Sequence, residues 1–500
     1  MEAMMKSSPH LSGLISLSET TSALIDDETI TSILATDSAL PALLAHRSRS
    51  KRLLVITHSS RSASELATQL NSFTIEVSEF PAWETLPHER LSPNSDTVAK
   101  RIKTLYEIDK CRVIVAPIRA CVQPLMATLT ATPLINLKIS QHFNFESLIR
   151  ALSARGYIRV DLVERRGDFA VRGGIIDLFL PLDEHPIRIE FFGDEIEEMR
   201  YFEISDQRTF DAVTQTVTLL PCREVLIDEE VKERAKILRR DYFEIREMCD
   251  KIADGIYVEG MEALAAVLGK GMTNLASVLP DDYEIIVIEE ERVRNRVLDL
   301  QRTSDEFLEA AWSNIALGDG DKNKTPLREE LHSGSFISLE ELQTISEQRS
   351  IGWRTFNSFS DDDARAIDQY QPLTAYRGDV EKLISDLQRW LREGFLIALS
   401  LPGAGLVERY AQLFNDADLP CRAVNDLAIT PTRGTVHLIA SEITFGFLDI
   451  PNKIVLLGES DITGVQDLRA GANRMPKRRK KTIDPLELKS GDYEIGRAHV

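Results

Sequence analysis

The sequence predicts a multidomain α/β protein with an α+β module set into it, and three observations lead there. Short apolar runs read as buried strands of the parallel type: LLVIT at Leu53–Thr57, RVIVA at Arg112–Ala116 and IIVIEE at Ile285–Glu290. Segments with helical spacing fall between them, and strand alternating with helix implies a parallel sheet. One stretch departs from this pattern. Arg165–Arg208 alternates residue by residue and is punctuated by Gly167–Asp168, Gly173–Gly174 and Gly193–Asp194, which signals antiparallel strands joined by tight turns.

Taken in order, Leu53–Thr57 is a strand and Ser59–Leu70 a helix. Val98, Ile102, Leu105 and Ile108 mark an amphipathic helix before the strand Arg112–Ala116. These belong to the first part of an α/β domain, residues 1–125. Phe145–Ala154 reads as a short helix ended by Gly156, and with the antiparallel strands it forms an inserted α+β module over 126–215. The α/β domain resumes over 216–359, with a charged helix at Asp228–Ile252 and a strand at Tyr283–Glu290. Polar Phe336–Ala366 marks a boundary. A small α/β domain follows over 372–464. Its helices are Asp379–Leu391 and Leu406–Phe414, and its strands Gly394–Ser400, Val436–Ala440 and Lys453–Leu457. Residues 465–487 read as a basic linker, and 488–500 as the start of another domain.

Within the module, Ile187-Arg188-Ile189-Glu190-Phe191-Phe192 carries the most information. Successive strand side chains point to opposite faces. Ile187, Ile189 and Phe191 make a core face. Arg188, Glu190 and Phe192 put a cation, an anion and a bulky aromatic on the other, a mixture enriched at protein interfaces.

Composition excludes several classes. A net charge of −20 over 500 residues argues against wrapping DNA, which needs clustered Lys and Arg. The local exception is PKRRKK at Pro476–Lys481. Five scattered cysteines form no CxxC pair, and the nine histidines form no HxxxH. Neither structural zinc nor a disulfide framework is expected, and a reducing cytoplasm fits. No run is long and apolar enough for a membrane span.

A phosphate-cradling loop requires GxxxxGK followed by Ser or Thr. No such string occurs. The segment before the first strand, ILATDSALPALLAHRSRSKRLLVIT from Ile33, contains no glycine, and Pro41 stands where the loop's helix would begin. IIVIEE resembles the acidic, magnesium-positioning strand of nucleotide hydrolases, but acids alone cannot assemble that site. PGAG at Pro402–Gly405 reads as a strand-to-helix turn. Phe80 and Trp83 read as packing residues.

VRGGIIDLF followed by IRIEFFGDEIEEMRYF closely resembles the UvrA-binding domain shared by the excision-repair protein UvrB and the transcription-repair coupling factors (Mfd). FPAWETLPHERLSPNSDTVAKRIKTL at Phe80–Leu105 and VIVAPIRACVQPL at Val113–Leu125 look like the coupling factors specifically. LLPCREV, GIYVEGMEAL and LPDDYEIIVIEEERVRNR follow in the family's order, so the resemblance covers about Ser50 to Tyr493. It implies a degenerate P-loop-NTPase-like (RecA/UvrB-like) domain with no catalytic residue, metal or cofactor in this segment. ATP and magnesium would belong to the family's motor. It also implies a role in bringing UvrA, and with it nucleotide-excision repair, to stalled RNA polymerase.

Residues matched to the family motif place UvrA contacts at Arg172, Arg188 and Glu190. Strand geometry and the following turn add Phe192, Asp194 and Glu195, with Arg165 and Arg166 at the rim. Ala170 stands where UvrB has a further Arg. UvrB's long DNA-gripping hairpin, which would follow Phe80–Asp96, has no counterpart. LELKSGDY at Leu486–Tyr493 looks like the opening of the polymerase-interacting domain, and EIGRAHV after it departs from the family. The expectation is therefore a monomeric, cytoplasmic UvrA-recruiting chain that ends before the motor. RNA polymerase and double-stranded DNA would be reached only through later domains. The competing readings are an ATP-dependent helicase and a DNA-damage-binding module.

Overall fold

The computed structural model describes residues 11–464, except 16–17, 75, 87–88, 128, 131, 270, 317–330, 332–335, 359–363 and 428–430. The PKRRKK cluster and everything after residue 464 lie outside the described residues.

Seven parallel strands make the first sheet. Their order is Arg365–Ala366, Ser32–Leu34, Gly352–Asn357, Tyr283–Ile288, Arg52–Thr57, Val113–Pro117 and Val77–Glu79. Its strands come from two stretches, residues 32–117 and 283–366, so the α/β unit is interrupted and resumed. Both faces of the sheet are covered, which is why its strands read as unbroken apolar runs. Leu54, Ile56, Ile114, Ala116, Ile285 and Val287 enter one core. Their neighbours Leu53, Val55, Val113, Val115, Ile286 and Ile288 enter another.

The interruption is a second sheet of six strands. Thr209–Ala212, Glu195–Phe202, Ile187–Phe192, Ile175–Leu178 and Asp168–Arg172 are antiparallel, and Ile158–Arg159 joins the edge in parallel. Helix Phe145–Ala154 covers one face. Its Leu148 and Leu152 share a core with Ile176, Leu178, Ile187, Ile189 and Met199. The chain enters through Ile135–Leu137 and leaves through Val217–Leu219, and these two strands pair with each other. The module was expected over 126–215; the entry strand begins nine residues after that start and the exit strand ends four residues after that end.

Where the module meets the parallel-sheet unit, hydrogen bonds tie it down. The Tyr257 hydroxyl donates to the Ala154 carbonyl at 2.8 Å and accepts from Ile227 N–H at 3.2 Å. Tyr157 Oη donates to Leu220 O at 2.9 Å. Gly156, at φ +81°, turns the chain here. A Cβ on it would lie 2.5 Å from Arg223 Cγ, so glycine is required by both conformation and space.

The third sheet runs Tyr370–Pro372, Phe447–Asp449, Ile454–Leu457, Leu396–Leu401, Val436–Ala440 and Cys421–Val424. Helices Val380–Arg392 and Ala404–Asp416 cover one face, burying Ile397, Leu399, Leu438 and Val455. The opposite face is not free. Leu396, Ala398, Ile439, Leu456 and Phe447 join Leu43, Leu44, Ala63 and Leu70 of the first unit in one apolar cluster. The small sheet and the large one thus share a layer of helices, Leu40–Arg47 and Ser60–Leu70.

One expected helix is broken. Asp228–Ile252 forms two helices, Glu229–Asp241 and Arg246–Ala253, separated by extended Tyr242 (φ −127°, ψ 108°) and a 3₁₀ turn. The break folds the segment back so that Val231 and Ala235 meet the same core as Cys249 and Ile252.

Candidate partner-binding face

The strand Ile187–Phe192 sorts its side chains by pleat. Ile187 and Ile189 are buried and Phe191 packs half-buried, edge-to-face on Phe145 at 5.1 Å. The other face presents Arg188, Glu190 and Phe192. The strand register lines this face up in rows. One row is Ala170–Asp177–Arg188–Arg200 and the next is Arg172–Ile175–Glu190–Glu198.

The residues do not stand equally free. Phe192 is 79% exposed at the hairpin tip, beside Gly193 at φ +63°. Arg172 is exposed, with one Nη2 bond to Asp161 O at 2.6 Å. Glu190 faces Glu198 directly across the strands, an unfavourable like-charge pairing, and Glu198 turns to Arg200 at 2.9 Å. Glu195 is half-exposed near His142 at 3.9 Å. These groups are open to a partner.

Arg188 and Asp194 are engaged within the module. Arg188 Nε donates to Asp177 Oδ1 at 2.7 Å, Nη2 to Oδ2 at 2.9 Å and Nη1 to Gln207 O at 3.3 Å. Its guanidinium lies 5.1 Å from the Phe202 ring centroid. The Asp194 carboxylate accepts from Asn144 Nδ2 at 3.1 Å and from Phe145 N–H at 3.2 Å, at the N-terminus of helix Phe145–Ala154. Those bonds, from Asn144 first and then from the Phe145 amide, hold it below the ordinary Asp value. Asp194 thus fastens the hairpin to the helix.

Part of this face is covered. Val163, Phe179 and Phe202 bury Ala170 in a small second core, so the position where UvrB carries an Arg is closed to solvent. Arg166 Nε donates to Asp183 O at 3.0 Å, while Arg165 is exposed. Sequence reasoning missed Asp177 and Asn144. Asp177 carried a signal, an acid inside the apolar run IIDLF, but naming its partner requires the strand register.

The carboxyl ends of the parallel strands are where open α/β sheets hold ligands. Asp37 accepts there from the Ser358 hydroxyl, and Glu289 accepts from Ser358 N–H at 2.6 Å. Glu290 pairs with Arg294 at 3.0 Å. Helix Leu40–Arg47 buries Leu40, Pro41 and Ala42 in its first turn. Elsewhere, Phe80 and Trp83 are buried around Arg101, whose guanidinium lies 4.5 Å from the Phe80 centroid and pairs with Glu224 at 2.6 Å. Among the described residues no group of His, Cys, Asp and Glu is suited to a metal, and no helix is long and apolar enough to cross a membrane.

Residues 135–224 match the UvrB interaction domain family. Across 470 residues the chain is 35% identical to the transcription-repair-coupling factor of Mycobacterium tuberculosis, covering 89% of this chain and 38% of that protein. Most of the chain is thus similar to transcription-repair-coupling factors. The Escherichia coli K12 member is 25% identical over 472 residues and the Myxococcus xanthus member 27% over 455. The chain spans less than two-fifths of the length of these relatives. The family match runs through the paired entry and exit strands and includes the whole face built from Arg172, Arg188, Glu190 and Phe192.

Proposed function

We propose that this chain is the UvrA-recruiting, N-terminal part of a transcription-repair coupling factor. The outer face of the inserted sheet docks UvrA and so delivers the excision machinery to a stalled RNA polymerase. The observation that carries the reading is the face itself: exposed Phe192 at a hairpin tip, with Arg172, Arg188 and Glu190 on the same face of the sheet. An aromatic anchor among oriented charges is the composition of a binding hot spot. Glu195 and Arg165 contribute rim charge, which affects encounter more than affinity.

On this reading the parallel-sheet unit is a degenerate P-loop-NTPase-like scaffold, supported by the Asp37 and Glu289 carboxylates at its strand ends and the buried start of helix Leu40–Arg47. It presents the module and leaves nucleotide chemistry to the family's motor. The test is co-elution of the full chain with UvrA on size exclusion. Wild type shifts to the complex position, whereas Glu190→Ala and Phe192→Ala stay apart from UvrA. Co-elution unchanged by both substitutions refutes the assignment of the face.

A further inference from the structure

We infer that Asp177 is a positioning residue for partner recognition, clamping Arg188 so that its guanidinium meets a carboxylate of UvrA through one N–H from each terminal nitrogen. This rests on the UvrA-recruiting reading above.

Asp177 lies in strand Ile175–Leu178, directly opposite Arg188, and is 2% exposed. A guanidinium has five N–H groups. Three are used: Nε and Nη2 on the two Asp177 oxygens, and Nη1 on Gln207 O. What remains is one N–H on Nη1 and one on Nη2. Two terminal donors match a carboxylate in the two-point geometry that favours Arg at such contacts. The Phe202 ring, 5.1 Å from the guanidinium carbon, fixes the plane, and the Arg188 side chain keeps 19% exposure, so the free donors have a way out.

An unclamped Arg would have to surrender its rotamer freedom on binding, whereas this one has already done so. Stability alone does not explain the pair, because apolar residues usually serve a buried position as well or better. Here the pair sits beside the row of half-buried Glu190 and exposed Arg172, where a fixed charge has a recognition use.

The test uses the full chain and purified UvrA on a biosensor. Asp177→Asn is isosteric and keeps one acceptor for Arg188, and circular dichroism of the variant checks that its fold is retained. It should leave association within about twofold and speed dissociation roughly tenfold. In an Arg188→Met background, which keeps the apolar stem on Phe202, Asp177→Asn should bring no further loss. A readout free of UvrA accompanies this: the Arg188 Nε–H resonance of ¹⁵N-arginine-labelled protein exchanges slowly in wild type and fast in Asp177→Asn. Wild-type dissociation in Asp177→Asn, with Glu190→Ala still weakened, overturns the inference and leaves the UvrA reading standing. Losses that add across the two sites also overturn it, since Asp177 would then act independently of Arg188. Failure of wild type to bind UvrA overturns both.

Discussion

Replacing Arg188 with alanine removes three hydrogen bonds and leaves the Asp177 carboxylate, 2% exposed, without its cation. Position 188 points away from the Ile187 and Ile189 core, and by pleat alone the substitution would spare the fold. The pairing says otherwise. Breaking a buried ion pair from one side typically costs about 3–5 kcal/mol, because the remaining charge is stranded. Partial exposure of Arg188 places this pair at the low end, about 3 kcal/mol. That corresponds to a roughly hundredfold rise in the opening equilibrium of the inserted sheet. Hydrogen-exchange mass spectrometry on peptides spanning Asp168–Phe202 reads it directly. Arg188→Ala should lose about a hundredfold in protection there, with peptides of the parallel sheet such as Arg52–Thr57 unchanged. Asp177→Ala combined with Arg188→Ala should regain much of the loss, because no buried charge remains. Wild-type protection in Arg188→Ala would refute the argument that the pair holds the module.

Three further outcomes follow from other parts of the molecule. Burial raises the Asp461 carboxyl to about 6 against an ordinary 3.8, even though Gly446 and Gly458 amides donate to it. A raised folded value gives stability that is full below about pH 4 and lost as pH rises through 6. The loss is roughly 3 kcal/mol at most, so calorimetric melting at pH 5 should exceed that at pH 7, and Asp461→Asn should narrow the gap. Gly260, at φ +76°, would put a Cβ 2.3 Å from the Arg90 carbonyl carbon. Gly260→Ala should therefore destabilise by at least about 2 kcal/mol, seen as a lower urea midpoint. Equilibrium dialysis with labelled ATP and magnesium should show no micromolar binding, whereas saturable micromolar binding would contradict the scaffold reading.

Much of the fold was legible because its signals are local. Buried parallel strands declared themselves as apolar runs, and Leu53–Thr57 and Arg112–Ala116 lie within one residue of the observed strands. Ser59 and Asp379 cap their helices as their positions suggest. The pleat of Ile187–Phe192 sorted core from surface correctly at Ile187, Ile189 and Phe192. What stayed hidden depends on contacts distant in sequence. Asp194 reaches a helix N-terminus 49 residues earlier. Arg188 finds Asp177 only through strand register. The small domain's second apolar face is covered by helices from the first 70 residues, and a pattern two-sided in apolar character cannot name its cover. Tyr242 breaks a helix whose local propensity continues, because folding back buries two faces in one core.

The central claim, that the outer face of the inserted sheet binds UvrA, is tested most directly by calorimetric titration of UvrA into the wild-type chain and into Phe192→Ala. Phe192 is 79% exposed and touches no core, so its removal leaves the fold intact. An anchoring aromatic contributes about 2 kcal/mol or more at a hot spot, which is roughly a thirtyfold loss of affinity. Wild type should show measurable one-site binding, and Phe192→Ala should show that loss with unchanged circular dichroism. Equal affinity in the two proteins, or no heat with wild type, contradicts it.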